Sequence, residues 1–170
     1  MTAGTVSPRR CAFDWFAAAT VVALLIVDLF IERGASSSLY VAGTVALLLS
    51  IAFFVPPFYL LKKHGEVEQG RSYFETNRLV DRGVYGIVRH PQYLGYILLV
   101  VGFTLRCQRI STTLLGVVGV LMFYLQAVRE ERFCLRQLGA NYAAYQAKVP
   151  RFNFVLGAAR YLRRAVAGST

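Results

Sequence analysis

Long apolar stretches separated by short polar segments dominate the first three quarters of the chain. Residues 13–31, 39–61 and 110–128 are mostly apolar, and the second and third of these stretches contain no charged residue. A helix of about 20 apolar residues is long enough to cross the hydrocarbon core of a bilayer. The pattern therefore predicts three membrane-spanning helices.

A fourth apolar stretch, from Tyr93 to Leu105, is too short to cross a bilayer by itself. Proline is well tolerated in the first turn of a helix, so a helix that begins at Pro91 gains additional length. We expect a short or tilted span over residues 91–105. The sequence thus predicts an all-α integral membrane protein with about four transmembrane helices, in which residues 1–170 form a single membrane domain.

The composition agrees with this fold class. Hydrophobic residues make up 56% of the chain and charged residues 16%, whereas soluble domains carry about 25% charged residues. An ordinary soluble enzyme and a disordered chain are therefore disfavoured. The three cysteines are far apart in sequence and form no CxxC pair, so neither a disulfide framework nor a metal site is expected.

The net charge of +10 is explained by membrane topology. If the N-terminus is cytoplasmic, sixteen of the nineteen Lys and Arg residues fall on the cytoplasmic side, in the N-terminal segment, the loop 62–90 and the C-terminal segment 129–170. Basic residues accumulate on that side of membrane proteins. We therefore expect both termini in the cytoplasm, with some attraction to anionic lipids and no role in nucleic-acid binding.

Polar residues concentrate first where the loop 62–90 meets the third span, in the order Tyr85, Arg89, His90, Pro91 and Tyr93. A residue that precedes proline is held out of helical geometry, so His90 should lie at a helix entrance. The free backbone N–H groups of a helix entrance favour a carboxylate ligand. Anchoring at the membrane interface would explain any one of these residues, but the cluster is denser than anchoring requires.

A second concentration follows the last span, where Glu130 and Glu131 stand at a position that usually carries basic residues. Two interpretations remain open. The carboxylates can form salt bridges with nearby basic residues, each worth about 0–1 kcal/mol when exposed. Alternatively, they meet a cation or the hydroxyl groups of a ligand. The segment 129–170 after them predicts short amphipathic helices on the cytosolic side.

Two features inside the apolar stretches have no assigned role. Asp28 lies near the end of the first stretch, and Pro56 and Pro57 interrupt the second. A charged residue within a span is often functional, and proline commonly kinks a helix. Their function is left open.

The two polar regions together resemble the isoprenylcysteine carboxyl methyltransferase family and its bacterial and archaeal relatives, which overlap with phospholipid methyltransferases. The likeness covers about residues 60–154, and the first two spans match only as hydrophobic segments. It is carried by Leu79-Val80, Gly83-Val84-Tyr85, Arg89-His90-Pro91-Gln92-Tyr93, Glu130-Glu131, Gly139, Tyr142, Tyr145 and Val149-Pro150.

This resemblance implies a membrane-embedded methyltransferase that uses S-adenosylmethionine, in a prokaryotic cytoplasmic membrane. Its partners would be S-adenosylmethionine, membrane lipids and a lipophilic or amphipathic small substrate, with the cofactor pocket under a cytosolic helical cap. The alternatives are a phospholipid (amine) N-methyltransferase and a non-enzymatic lipid-binding module.

The resemblance also implies the site residues. Those implied for the cofactor are Asn77, Arg78, Leu79, Val80, Tyr85, His90, Pro91, Gln92, Tyr93 and Glu130. Those implied for the substrate are Gln126, Arg129 and Glu131. No catalytic group is assigned, because positioning and desolvation suffice for methyl transfer from a sulfonium.

Two residues depart from the pattern of the eukaryotic prenylcysteine enzymes. Asn77 stands where those enzymes have a His, and Gln126 stands where they have an Arg assigned to the substrate carboxylate. The resemblance therefore implies the cofactor more strongly than the substrate.

Overall fold

The computed structural model describes residues 12–30, 34–64, 79 and 81–167, and all regular structure in these ranges is helical. A single 3-10 turn, Gly83–Gly86, precedes the third helix. The α-helices are α1 Ala12–Phe30, α2 Ser37–His64, α3 Pro91–Cys107, α4 Ile110–Leu138, α5 Ala140–Lys148 and α6 Phe154–Ala167. The predicted all-α class is thus confirmed.

Helices α1 to α4 stand where the four spans were predicted, but only two segments among the described residues are long and apolar enough to cross a bilayer by themselves. These segments are Ser37–Phe54 within α2 and an apolar stretch within helix α4. The apolar part of α1 is the shorter Ala19–Asp28, and α3 has 17 residues. Helix α4 also continues for ten residues beyond Val128, so the expected boundary between span and cytosolic cap lies within one continuous helix.

Small residues bring the helices into close contact. A Cβ atom on Gly43 in α2 would lie 2.7 Å from the carbonyl oxygen of Gly102 in α3, so the two backbones touch at this crossing. Gly119 in α4 contacts both Thr20 in α1 and Val100 in α3 in the same way. Close approach through glycine is typical of helices packed within membranes.

A compact apolar cluster lies between these helices, while their outer faces are also apolar. Leu24, Val100, Phe103 and Phe123 are buried together. Large apolar side chains are exposed on the outer faces of α2 and α4, including Val41, Leu48, Leu114, Val117 and Leu121. Exposed apolar surface on this scale is typical of contact with lipid.

The end of the bundle away from the polar regions is closed by specific polar contacts. The side-chain amide of Gln108 accepts from the Ser36 N–H at 2.9 Å and donates to the Ser36 carbonyl at 2.8 Å. Arg106 Nε donates to Asp28 Oδ1 at 2.9 Å, and its guanidinium lies 4.6 Å from the centre of the Tyr40 ring. Asp28 therefore joins α1 to α3 by an ion pair. Pro56 and Pro57 both lie inside the continuous helix α2.

Candidate functional site

The entrance of α3 has the backbone geometry that the sequence predicts. His90 is non-helical, with φ −124° and ψ 66°, and Pro91 occupies the first turn. The N–H of Arg89 donates to the Pro150 carbonyl at 3.0 Å, and the N–H of His90 donates to the Arg151 carbonyl at 3.4 Å. These two bonds hold the segment after α5 against the entrance of α3.

The carboxylate that meets His90 is that of Glu131, which is only 5% exposed. Its Oε1 lies 3.2 Å from His90 Nε2, 3.4 Å from Arg89 Nη2 and 2.9 Å from Arg151 Nε. Its Oε2 accepts from Arg151 Nη2 at 2.7 Å and from Gln146 Nε2 at 3.3 Å. Five donor atoms thus converge on one carboxylate, and its hydrogen-bonding capacity is filled.

This environment keeps Glu131 ionised. Glu131 lies on α4 after the apolar segment 110–128, outside the stretch that would cross the bilayer. Burial alone would raise its pKa, but hydrogen bonds from Arg151 and His90, together with the charge of Arg89, lower the pKa to about 2. The same hydrogen bond raises the pKa of Arg151. With two guanidinium groups facing it, Glu131 has its charge compensated within the protein.

The neighbouring Glu130 is in a different situation. It is half-buried and makes no hydrogen bond or ion pair within the described part of the chain. Its charge acts on Tyr85, whose pKa is raised first by burial and then by the Glu130 carboxylate. Among the described residues Glu130 therefore offers a carboxylate without a hydrogen-bond or ion-pair partner, which a cationic or hydroxyl-bearing ligand can use.

Helix α5 contacts the 3-10 turn through Tyr145. The Tyr145 hydroxyl donates to the Tyr85 carbonyl at 2.6 Å. Tyr142 and Tyr145 are both buried, and their rings lie 5.8 Å apart. A cavity of about 130 Å³ adjoins Tyr145, lined by Leu79, Asp81, Asn141, Ala144, Tyr145, Lys148, Val149 and Arg164. Tyr145 thus holds the backbone that carries Tyr85.

The other residues that the sequence implies for the cofactor are only partly described. Leu79 lines the cavity, Pro91 is buried, Gln92 forms a hydrogen bond with Tyr96, and the Tyr93 ring lies 5.7 Å from the His90 ring. The remaining three lie outside the described residues: Asn77, Arg78 and Val80.

The residues implied for the substrate do not form one group. Gln126 is buried in α4, one turn before Glu130, and positions four apart lie on the same helix face. Arg129 is exposed. Glu131 is enclosed by its protein partners.

Sequence reasoning missed Arg151, which forms the strongest contact with Glu131, and Gln146 beside it. Arg151 directly follows Val149-Pro150, a pair that carries the resemblance. This position is the sequence feature that could have indicated a role for Arg151 in the site. No helical spacing links it to Glu131, because a separate helix lies between them. A pairing over 20 residues is visible only in three dimensions.

Comparison with known proteins places this arrangement in a family context. A family model described as "Phospholipid methyltransferase" matches residues 38–141, a range that includes both His90 and the Glu130–Glu131 pair. No solved structure matches the chain significantly.

Curated relatives match about half of the chain. "Protein-S-isoprenylcysteine O-methyltransferase B" of Arabidopsis thaliana is 34% identical over 101 residues, which are 54% of this chain and 51% of the relative. "Probable protein-S-isoprenylcysteine O-methyltransferase" of Oryza sativa subsp. indica is 32% identical over 100 residues, 53% of this chain and 52% of the relative. "Protein-S-isoprenylcysteine O-methyltransferase" of Schizosaccharomyces pombe is 33% identical over 99 residues, 53% of this chain and 42% of the relative. The chain spans about half the length of the curated relatives it matches.

Proposed function

Because the chain belongs to the phospholipid methyltransferase family, we propose that it is an integral membrane methyltransferase that transfers a methyl group from S-adenosylmethionine to a lipophilic or amphipathic acceptor. The observation that carries this proposal is the carboxylate of Glu130, which makes no hydrogen bond or ion pair within the described residues and acts electrostatically on Tyr85. The range matched by the family model, residues 38–141, contains both Tyr85 and Glu130.

The residues present fit the polar groups of the cofactor. S-adenosylmethionine carries an ammonium, a carboxylate and ribose hydroxyl groups. Glu130 is suited to the ammonium or to a hydroxyl pair, since it lacks a protein partner in the described chain. Arg89 Nε is a buried donor without a partner among the described residues and is suited to the cofactor carboxylate.

We assign the remaining cofactor contacts by the resemblance. They are Asn77, Arg78, Leu79, Val80, Tyr85, His90, Pro91, Gln92 and Tyr93. Glu131 receives a different role from the substrate contact that the sequence suggested. Since its oxygens are filled by protein donors, it orients His90 and Arg151 and acts as a positioning residue.

The proposed mechanism assigns binding and positioning, but no proton transfer, to the side chains. The bound cofactor would supply a methyl group already activated by a sulfonium. The chain binds and orients both reactants, and near-attack placement accounts for a large part of the rate enhancement. The Tyr145 hydroxyl holds the backbone of Tyr85 in place. No general base is assigned, because a carboxylate or thiolate acceptor needs none.

The acceptor is proposed to come from the bilayer. Helices α2 and α4 are the candidate spans and present apolar outer faces, so a lipophilic molecule can reach the inner end of α4 from the side. Gln126 lacks the fixed charge that would pair with a prenylcysteine carboxylate. Exposed Arg129 is the nearest replacement. A phospholipid amine is the alternative acceptor, and both termini are proposed to be cytoplasmic in a prokaryotic cytoplasmic membrane.

Titration calorimetry with S-adenosylhomocysteine on the detergent-purified protein tests the proposal. Saturable binding to one site is expected, and it should weaken in Glu130→Gln. Absence of binding by the folded wild-type protein would contradict the proposal and favour a non-enzymatic lipid-binding module.

A second assay tests the acceptor with radiolabelled methyl donor and three candidates: a farnesylcysteine analogue, phosphatidylethanolamine and a fatty acid. Weak or no labelling of the farnesylcysteine analogue is expected because of Gln126. Efficient labelling that Gln126→Ala abolishes would show that the amide replaces the arginine of the relatives.

A further inference from the structure

Helix α6 is held to the 3-10 turn by one face. Gly157 lies so close to the Ile87 carbonyl that a Cβ atom has no room there. Arg164 Nη2 donates to the Gly86 carbonyl at 2.9 Å, and a Cβ on Gly86 would lie 2.8 Å from the Tyr161 ring. These contacts fix how α6 is rotated about its own axis.

The opposite side of α6 is apolar and exposed. Val155 and Leu162 are 65% and 64% exposed, and residues seven apart lie on the same helix face. Arg160 and Arg163 are exposed on a different side, and α6 contains no acidic residue. An apolar face next to a side that carries only basic charges is the pattern of a helix that lies in a membrane interface.

Contacts with α2 and with the 3-10 turn place α6 at the level of the membrane interface. The Phe154 ring lies 5.7 Å from the Phe53 ring in α2. Tyr161 contacts Gly86, and the same 3-10 turn contacts Leu60 of α2 through Gly83. Phe53 and Leu60 are about 10 Å apart along the helix axis.

Both positions lie in the last turns of the apolar stretch of α2, directly before the sequence Lys62-Lys63. Helix α6 therefore lies beside the boundary between the apolar part of α2 and its polar end. At that height the neighbouring surface is the headgroup region of the bilayer.

We propose that α6 docks on an anionic bilayer surface, with Val155 and Leu162 inserted at the acyl boundary and Arg160 and Arg163 among anionic headgroups. The net charge of the chain, +10, and the lack of any acidic residue in α6 favour anionic over zwitterionic lipid. The occupant is a lipid surface because the height of α6 leaves its exposed face at the bilayer. Docking would also brace residues 86–87, which lead into His90.

The test uses the full-length chain in lipid nanodiscs whose acyl chains carry bromine, a quencher of tryptophan fluorescence. The chain has one tryptophan, so Trp15→Phe gives a variant without tryptophan fluorescence, into which a single tryptophan can be introduced. Leu162→Trp in that background should be strongly quenched. Arg160→Trp, on the other side of the same helix, is the matched control and should be quenched several-fold less.

Either of two outcomes would overturn the proposal. Equal quenching at the two positions would show no preferred face. If the tryptophan fluorescence of Leu162→Trp is blue-shifted but not quenched, this side chain contacts protein and not lipid. Cross-linking of the nanodisc sample would then identify a second copy of the chain as that protein.

The charge requirement is tested separately. Quenching of Leu162→Trp should increase when phosphatidylglycerol replaces part of the phosphatidylcholine, and Arg160→Gln with Arg163→Gln should remove most of that increase. About a five-fold loss of the docking equilibrium is expected for each arginine removed. Quenching that is independent of lipid charge would contradict the anionic part of the proposal. Neither measurement depends on methyltransferase activity.

Discussion

Arg151 contacts both carboxylate oxygens of Glu131, with Nε 2.9 Å from Oε1 and Nη2 2.7 Å from Oε2. The two residues lie on opposite sides of α5 in the sequence. Their ion pair therefore closes a loop that contains the whole of α5, and His90 is attached to the same carboxylate at 3.2 Å. One glutamate thus connects α4, the entrance of α3 and the segment before α6.

Glu131→Gln should destabilise the fold by about 3–5 kcal/mol, since removing one partner of a buried ion pair leaves the other charges uncompensated. Arg89 and Arg151 would then face each other without a carboxylate between them. Chemical unfolding in detergent, followed by circular dichroism, measures the change. Glu130→Gln is the matched control and should change the free energy of unfolding by less than about 1 kcal/mol. Similar losses in both variants would contradict the distinction between the two glutamates.

The stability of the protein should fall as the pH is lowered from about 5 towards 2. The pKa of Glu131 is lowered to about 2 in the folded chain, from an unfolded value of about 4.3. Its contribution is fully present above the unfolded pKa and is lost as the pH falls through the folded one. Melting temperatures across this range, compared with those of Glu131→Gln, isolate the effect. A wild-type curve parallel to that of the variant would argue against this origin of acid sensitivity.

Glu130→Gln should weaken binding of S-adenosylhomocysteine by about ten- to one-hundred-fold, since a hydrogen bond to a charged group is worth about 1.5–3 kcal/mol. Calorimetry on the purified variant gives the affinity. The melting temperature of the variant without ligand is the control for folding. Unchanged affinity would remove Glu130 from the cofactor site.

Gly157→Ala should displace α6, because the added methyl group overlaps the Ile87 carbonyl. Faster tryptic cleavage at Arg160 and Arg163 is expected, while cleavage in α5 stays unchanged. The neighbouring substitution Ala158→Ser is the matched control, since it leaves the glycine contact intact. Equal rates of tryptic cleavage in the two variants would show that the contact of Gly157 with Ile87 is dispensable.

Reporter tags at the two ends of the chain should both be cytoplasmic. The reason is the distribution of Lys and Arg, sixteen of which fall on one side if all four predicted spans cross the membrane. Labelling of intact cells with a membrane-impermeant reagent distinguishes the two sides. A C-terminal tag accessible from outside would require withdrawing α3 as a span.

The helices could be predicted from the sequence because hydrophobic length and proline position are local properties. Helix α3 begins at Pro91 as expected, and α1 and α2 begin within two residues of the predicted spans. The end of α4 was not predictable in this way. Residues 129–138 were predicted as the start of a cytosolic cap of short amphipathic helices, but they continue α4 without a break, and Glu131 in this part of the helix is buried.

Local sequence patterns gave the candidate site as two separate regions, and only the resemblance placed Tyr85, His90 and Glu130 in one cofactor pocket. Local patterns mark His90 and the pair of glutamates, but they do not show which carboxylate faces the histidine. That choice depends on the rotation of α4 and on Arg151, which arrives from beyond α5. The distinction between a compensated Glu131 and an uncompensated Glu130 is therefore a property of the tertiary structure.

The backbone bonds from Arg89 and His90 to residues 150 and 151 have a consequence for synthesis of the protein. A ribosome releases the entrance of α3 and the glutamate pair well before it releases Arg151. During that interval Glu131 lacks its bidentate partner, and burial of an incompletely paired carboxylate is unfavourable. The inner end of α4 should therefore stay hydrated until the later segment arrives, so that the site closes as one of the last events in folding of the nascent chain.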